Sequence, residues 1–181
     1  VKAVGVTPLP VFDSVPTNRW NVYNGYETWP RFVAVDPTGT SADSVSMQFL
    51  FGVQRHDSTS LPTRTVRGPR VSLDRFYHLR VDSAVWAELD TMDRAMLDAA
   101  SRWSTGRGFE IDDYLVTVAM HINTREIPSW ALQSVWWHDR PGEGPYSANR
   151  PSLPDARGPW QHYLLTTAYD IPATPTTLSV A

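Results

Sequence analysis

The strongest constraint on the fold comes from two neighbouring segments in which successive side chains alternate in character. Residues 114–122 and 130–138 both show the period-two pattern of β-strands, and every second position of the first segment is apolar. Only residues 123–129 lie between them, whereas a parallel crossover needs about a dozen residues or more. The sequence therefore predicts an antiparallel hairpin.

Tryptophan is unusually frequent, with eight residues in 181. Trp130, Trp136 and Trp137 lie in the second predicted strand, and Trp160 follows soon after. Neighbouring positions of a strand face opposite sides of the sheet, so Trp136 and Trp137 cannot both point into the core of a one-sided sheet. We expect about half of the tryptophans to seal the core and the others to lie under a loop or on a binding surface.

A long segment before the predicted hairpin has helical periodicity. Apolar side chains recur at spacings of three and four over residues 85–103, namely Val85, Leu89, Met92, Met96, Ala99 and Trp103. We predict one principal amphipathic helix that lays this stripe against the sheet. Asp82 or Ser83 is expected to cap its start, and Gly106 to end it.

The rest of the chain completes the fold class. Further strands are predicted at residues 45–53, 76–81 and 160–170, and loops at 56–70 and 140–159. Residues 1–37 are expected to be a proline-rich, extended lead-in with at most short strands, and residues 172–181 a short polar tail. These elements indicate an α+β protein with a mainly antiparallel sheet, meander or sandwich-like, in a single globular domain over residues 1–181.

Composition excludes several kinds of protein. A net charge of −3 and a pI near 5.9 provide no basic face for nucleic acid. No apolar stretch approaches the ~20 residues that span a bilayer. Without cysteine the chain cannot hold a disulfide, a thiolate-bound metal or covalently attached c-type haem. Since it begins at Val1, we expect that a leader, a pro-segment or an upstream domain has been removed.

Signatures of common hydrolases are missing from the sequence. It contains neither the G-x-S-x-G elbow of α/β-hydrolases nor the H-E-x-x-H helix of zinc proteases. Catalytic residues therefore stay unassigned, and whether the chain is an enzyme stays open. A metal ion could still be held across strands, with His121, Glu126, His138 and His162 as candidate ligands. The alternative for each histidine is a hydrogen-bonded structural residue.

Several blocks of the second half resemble one group of known proteins. They read VAMHINTREIPSW at residues 118–130, VWW at 135–137, GPWQHYL at 158–164 and FYH at 76–78. Together they resemble the tryptophan-rich globular part of bacterial exported c-type cytochrome-like proteins, over residues 76–170. The Cys-x-x-Cys-His motif that attaches haem in those proteins is absent from this chain.

Two functions follow as expectations. The resemblance implies a periplasmic or secreted electron-transfer protein with a redox partner, whose haem or metal ion is not covalently attached to this chain. Its cofactor would be bound by Met120, His121, Trp130 and Trp136, and the first two are side chains that can ligate haem iron axially. The alternative is a secreted module that binds a small molecule or a glycan through exposed tryptophans, possibly with hydrolytic activity.

One functional centre is predicted where His121, His138 and Trp136 approach one another. In a plain hairpin the two histidines would be roughly 20 Å apart, too far to share one metal ion. His121 with Glu126, beside Trp130, is therefore the better-supported pair. The structural alternative is that His121 only orders the loop of residues 123–129.

Overall fold

The computed structural model describes most of the predicted elements. The described residues are 2–3, 6–11, 31–39, 43–50, 63–125, 130–144, 146–149 and 158–171. Outside them lie Glu126, residues 51–62 and the tail of residues 172–181. The predictions that concern these positions stay predictions. The same holds for the domain boundaries.

Ten strands and two α-helices lie within the described residues. The strands are β1 Lys2–Ala3, β2 Thr7–Val11, β3 Arg31–Asp36, β4 Ser44–Leu50, β5 Thr63–Ser72, β6 His78–Arg80, β7 Tyr114–Val116, β8 Ala119–Thr124, β9 Trp130–Trp137 and β10 Tyr163–Ile171. The helices are α1 Ser83–Glu88 and α2 Thr91–Thr105, and short 3-10 helices occupy Leu73–Arg75, Ser147–Asn149 and Gly158–His162. The α+β class is confirmed.

The last three strands form an antiparallel sheet in the order β10–β9–β8, which we call the carboxy-terminal sheet. Strands that follow one another in sequence are neighbours in space. The register places His121 of β8 opposite Ser134 of β9, and Ala119 opposite Trp136. The predicted antiparallel hairpin is therefore confirmed.

The first strand of that hairpin is shorter than predicted. Residues 114–122 are not one strand, because β7 pairs with β1 and β6 in a separate small sheet, whereas β8 belongs to the carboxy-terminal sheet. Tyr163 of β10 contacts the residues between β7 and β8. Its hydroxyl donates to the Thr117 carbonyl at 2.7 Å and accepts from the Tyr77 amide at 3.1 Å. Burial raises the pKa of the Tyr163 phenol. A period-two pattern cannot reveal such a change of sheet.

The predicted loop at residues 56–70 is wrong over its second half, which lies in β5. This ten-residue strand pairs antiparallel with β4 and parallel with β3, in a four-stranded sheet of order β2–β3–β5–β4. Gly68 and Pro69 suggested a loop, yet both lie in the strand, where Pro69 is opposite Ser44. Among the described strands, the pairing is thus mainly antiparallel, with one parallel pair.

The helix predicted over residues 85–103 is present but is divided into two helices. Asp82 caps α1 by accepting from the amides of Ala84 and Val85, at 3.0 and 2.9 Å, and Asp90 caps a second helix by accepting from the Asp93 amide at 2.8 Å. Two caps within nine residues break the periodicity near position 89. Gly106 ends α2 in the left-handed conformation, as predicted.

The apolar stripe of α2 faces solvent rather than the sheet. Met92 and Met96 are 67% and 63% exposed, whereas Ser101, on the opposite side of the helix, is 1% exposed. Its hydroxyl donates to the Arg107 carbonyl at 2.6 Å, which joins the helix to the following loop. The covered side of α2 therefore carries a polar side chain that is bonded to the following loop.

We therefore expect Met96→Asp to leave the fold intact. A charge placed on an exposed helix position should change the free energy of unfolding by no more than about 0.5 kcal/mol. Val81→Asp is the matched control, because Val81 is 0% exposed and its substitution buries an unpaired carboxylate. Urea unfolding followed by circular dichroism measures both. A large loss with Met96→Asp would show that the stripe is buried after all.

The main hydrophobic core joins the sheets. It contains residues from β2, β3, β5, β7, β9 and β10, with Phe76 and Trp137 stacked at 4.3 Å near its centre. The Trp137 indole N–H donates to the Arg75 carbonyl at 2.9 Å, so its one polar atom is satisfied. Trp137 is 4% exposed, and it fixes one side of the carboxy-terminal sheet as the core side.

Candidate ligand-binding face

The other side of the carboxy-terminal sheet, which we call the outer face, holds most of the predicted site residues. Along β9, Ala131, Val135 and Trp137 are buried in the core, and the alternate positions are partly exposed. The register adds alternate positions of both neighbouring strands. The outer face therefore comprises Ala119, His121, Asn123, Trp130, Leu132, Ser134, Trp136, Leu164, Thr166 and Ala168, of which Leu164, opposite Trp136, is 0% exposed. Trp136 and Trp137 face opposite ways, as predicted.

Trp136 forms an aromatic corner at one end of the outer face. The Tyr146 ring meets it edge-on, with centroids 5.9 Å apart and planes at 82°. Tyr146 is 54% exposed and has a φ of 62°, a left-handed conformation that few non-glycine residues adopt. Sequence reasoning missed Tyr146, which lies in the predicted loop of residues 140–159.

His138 does not share this exposed surface. It is 1% exposed, and its Nδ1 accepts from the Arg140 amide at 2.9 Å. The turn that follows β9 and contains Gly144 covers the side chains of His138 and Leu164. A Cβ at Gly144 would lie 3.0 Å from the His138 ring and 2.5 Å from Leu164. The adjacent Asp139 carboxylate accepts two hydrogen bonds from Arg31, at 2.8 and 2.9 Å. These contacts give His138 a structural role in holding the turn against the sheet.

The predicted approach of His121, His138 and Trp136 needs correction in its geometry. His121 lies level with Ser134, so His138 is four positions further along the strand, or about 13 Å at 3.3 Å per residue. The shorter distance follows from the register, which sequence alone does not provide. His121 and Trp136 remain together on the outer face, while His138 lies beneath the turn.

His121 makes a hydrogen bond across the sheet. Its Nδ1 lies 2.9 Å from Ser134 Oγ, and the imidazole is exposed. This is the separation of a nucleophile and its general base. However, Ser134 is flanked by paired strands on both sides, where backbone N–H groups serve the ladder rather than an oxyanion hole. The pair is therefore better suited to hydrogen bonding a ligand than to acyl transfer.

The predicted cofactor-binding residues are split between the two sides of the sheet. His121, Trp130 and Trp136 lie on the outer face, whereas Met120 packs against the main core. The two candidate axial ligands therefore point in opposite directions, as their adjacent positions in the strand predict. The Arg125 guanidinium lies 5.8 Å from the centroid of the Trp130 ring, a cation–π contact at the other end of the outer face.

The predicted metal ligands lie in different surroundings. His162 ends a 3-10 helix and is partly buried, and its carbonyl accepts from the His138 amide at 2.8 Å. Over the described positions, no group of three or more His, Asp and Glu side chains is placed to hold a metal ion. Glu126 lies outside those positions. The ligand set stays a prediction.

Comparisons with known proteins add no assignment. No protein-family model, no curated protein and no solved structure matches the chain. In the part of the chain that the structure describes, no helix has the length and apolar character needed to cross a membrane. The outer face, with two partly exposed tryptophans and a polar histidine–serine pair, is accordingly the feature from which function is inferred.

Proposed function

We propose that the chain is a binding module that holds a carbohydrate on the outer face of its carboxy-terminal sheet. The observation that carries the proposal is the placement of Trp130 and Trp136 on one partly exposed side of β9, with the His121–Ser134 pair between them. Part of each tryptophan side chain is thus open to solvent. Such a placement is expected of aromatic platforms for a ligand.

The chemistry of a sugar ring fits this surface. Its C–H groups present an apolar face that packs flat on an indole, while its hydroxyls point sideways to donors and acceptors. Around Trp136, the Tyr146 ring adds a second wall at 82°, so a ring on the indole would touch both aromatics. His121 and Ser134 share one hydrogen bond, and each keeps further hydrogen-bonding capacity for hydroxyls.

Trp136→Ala should therefore abolish most of the binding. We expect the affinity for a retained polysaccharide to fall by at least about tenfold, as for a central aromatic contact. The measurement is depletion of protein from solution by insoluble cellulose, chitin, xylan and mannan, followed by affinity measurement on the polysaccharide that retains it.

Ile122→Ala is the matched control for this test. Ile122 lies on β8, is 37% exposed and points to the side opposite His121. It should bind as the parent chain does. If no polysaccharide retains the parent chain, or if both variants bind equally well, the proposal is wrong.

The electron-transfer role implied by the cytochrome resemblance is the second proposal. The periplasmic or secreted location belongs to both. Met120 and His121 cannot ligate one haem iron together, because they point to opposite sides of β8, so a haem would rely on one of them. An absorption spectrum of the purified protein decides: a Soret band that is lost in His121→Ala supports this role.

We also infer a sandwich-like packing of the four-stranded sheet against the carboxy-terminal sheet. Val33 and Val71 of the first and Val135 of the second belong to one core cluster. Such packing would leave the outer face open on the far side of the second sheet. Val71→Ala and Val135→Ala should therefore lower the free energy of unfolding non-additively in a double-mutant cycle, and strictly additive losses would contradict contact between the sheets.

A further inference from the structure

Two aromatic rings mark the ends of the outer face. Trp130 and Trp136 lie on the same side of β9, six positions apart, which separates them by about 20 Å at 3.3 Å per residue. One sugar ring cannot contact both. Building on the proposed carbohydrate-binding function, we propose that the ligand is a linear, uncharged oligosaccharide that runs along β9 from Trp136 to Trp130.

The surface between the two rings is suited to a chain of sugar rings. Leu132 provides an apolar floor and lies opposite Asn123 of β8. One step along, Ser134 lies between His121 of β8 and Thr166 of β10. The Ser134 row thus has hydrogen-bonding side chains at both edges, whereas the Leu132 row has one at its β8 edge only, since Ala168 lies opposite it on β10. Successive sugar rings present the same pattern, with C–H faces below and hydroxyls at the sides.

The absence of charge on these strands selects an uncharged ligand. The sequences of β8 and β9, AMHINT and WALQSVWW, contain no Asp, Glu, Lys or Arg. A carboxylate or sulfate laid along β9 would lose water without gaining an opposite charge at the centre of the face. Arg125 lies at the end of the face, against the Trp130 ring, where it can reach only one unit of a polymer.

The length of the ligand is the quantity to measure. Calorimetric titrations would use neutral cello-, chito- and xylo-oligosaccharides from the disaccharide to the hexasaccharide, with oligogalacturonates as charged probes. We expect the affinity to rise with chain length until both tryptophans are covered and then to level off. Trp130→Ala should lower the affinity for the longest chain by about tenfold and leave that for the disaccharide unchanged.

Each other outcome overturns the inference, and the failures can be told apart. Affinity that is independent of chain length, with Trp136→Ala still abolishing binding, leaves the proposed function standing but restricts the site to a single ring. A preference for oligogalacturonates contradicts the uncharged ligand. Loss of disaccharide binding in Trp130→Ala, at an unchanged melting temperature, contradicts the two-ended site. Absence of binding to every probe removes the proposed function itself.

Discussion

Trp137→Ala should lower the free energy of unfolding by about 3–5 kcal/mol, the range found when large buried aromatics are truncated. Trp137 is 4% exposed and stacks on Phe76 at 4.3 Å with the rings 18° from parallel. Removing it leaves a cavity between β9 and the segment before β6, and leaves the Arg75 carbonyl without its indole donor. In a chain of this length the melting temperature should fall by roughly 10 °C.

The neighbouring tryptophan is the control for this prediction. Trp136→Ala removes the same side chain from the same strand, but on the partly exposed outer face. It should cost less stability than Trp137→Ala, since part of its area is already in water. Urea unfolding of both variants measures the difference. Equal losses would contradict the assignment of the two tryptophans to opposite sides of the sheet.

Much of the carboxy-terminal sheet could be predicted because its evidence is local. The alternation in β9 places Trp130 and Trp136 on one side and Trp137 on the other, and a loop of fewer than ten residues forces an antiparallel neighbour. The outer face and two of its tryptophans were therefore visible in the sequence. What period-two reasoning lacks is register, so the pairing of His121 with Ser134 appears only in the structure.

The failures have other causes, namely caps and loop contacts that the periodicity of apolar residues does not encode. The apolar residues of α2 predicted a core-facing stripe, but Ser101 binds the loop after the helix and turns Met92 and Met96 outward. The spacing of the caps at Asp82 and Asp90 was readable and would have revealed the break between helices. Tyr146 gave no signal, because its position against Trp136 depends on the path of a loop.

β5 is the clearest case in which a tertiary contact reverses a local preference. Gly68 and Pro69 usually mark a loop, yet β3 approaches β5 so closely that only glycine fits at position 68. A Cβ there would lie 2.6 Å from the Phe32 carbonyl carbon and 3.0 Å from the Val33 Cα. The same pairing brings Arg70 to Asp36, whose pKa is lowered by the Thr38 hydroxyl and by Arg70.

We therefore expect Gly68→Ala to be severely destabilising, by about 3 kcal/mol or more, because one methyl group is forced against main-chain atoms. Phe32 and Val33 are 5% and 0% exposed, so β3 is packed on both faces and cannot retreat. The parallel pairing of Ala34 with Arg70 should be lost first, which hydrogen exchange of the β3 and β5 amides would detect.

Gly142→Ala separates this steric effect from the entropic effect of replacing any glycine. Gly142 is exposed, and a Cβ there would meet nothing within 4 Å. Its substitution should be neutral or stabilise the chain by less than about 1 kcal/mol, by restricting the unfolded state. Similar stabilities for the two variants would mean that β3 and β5 are further apart than their register indicates. A loss confined to Gly68→Ala would instead establish that the pairing of these strands depends on the missing side chain.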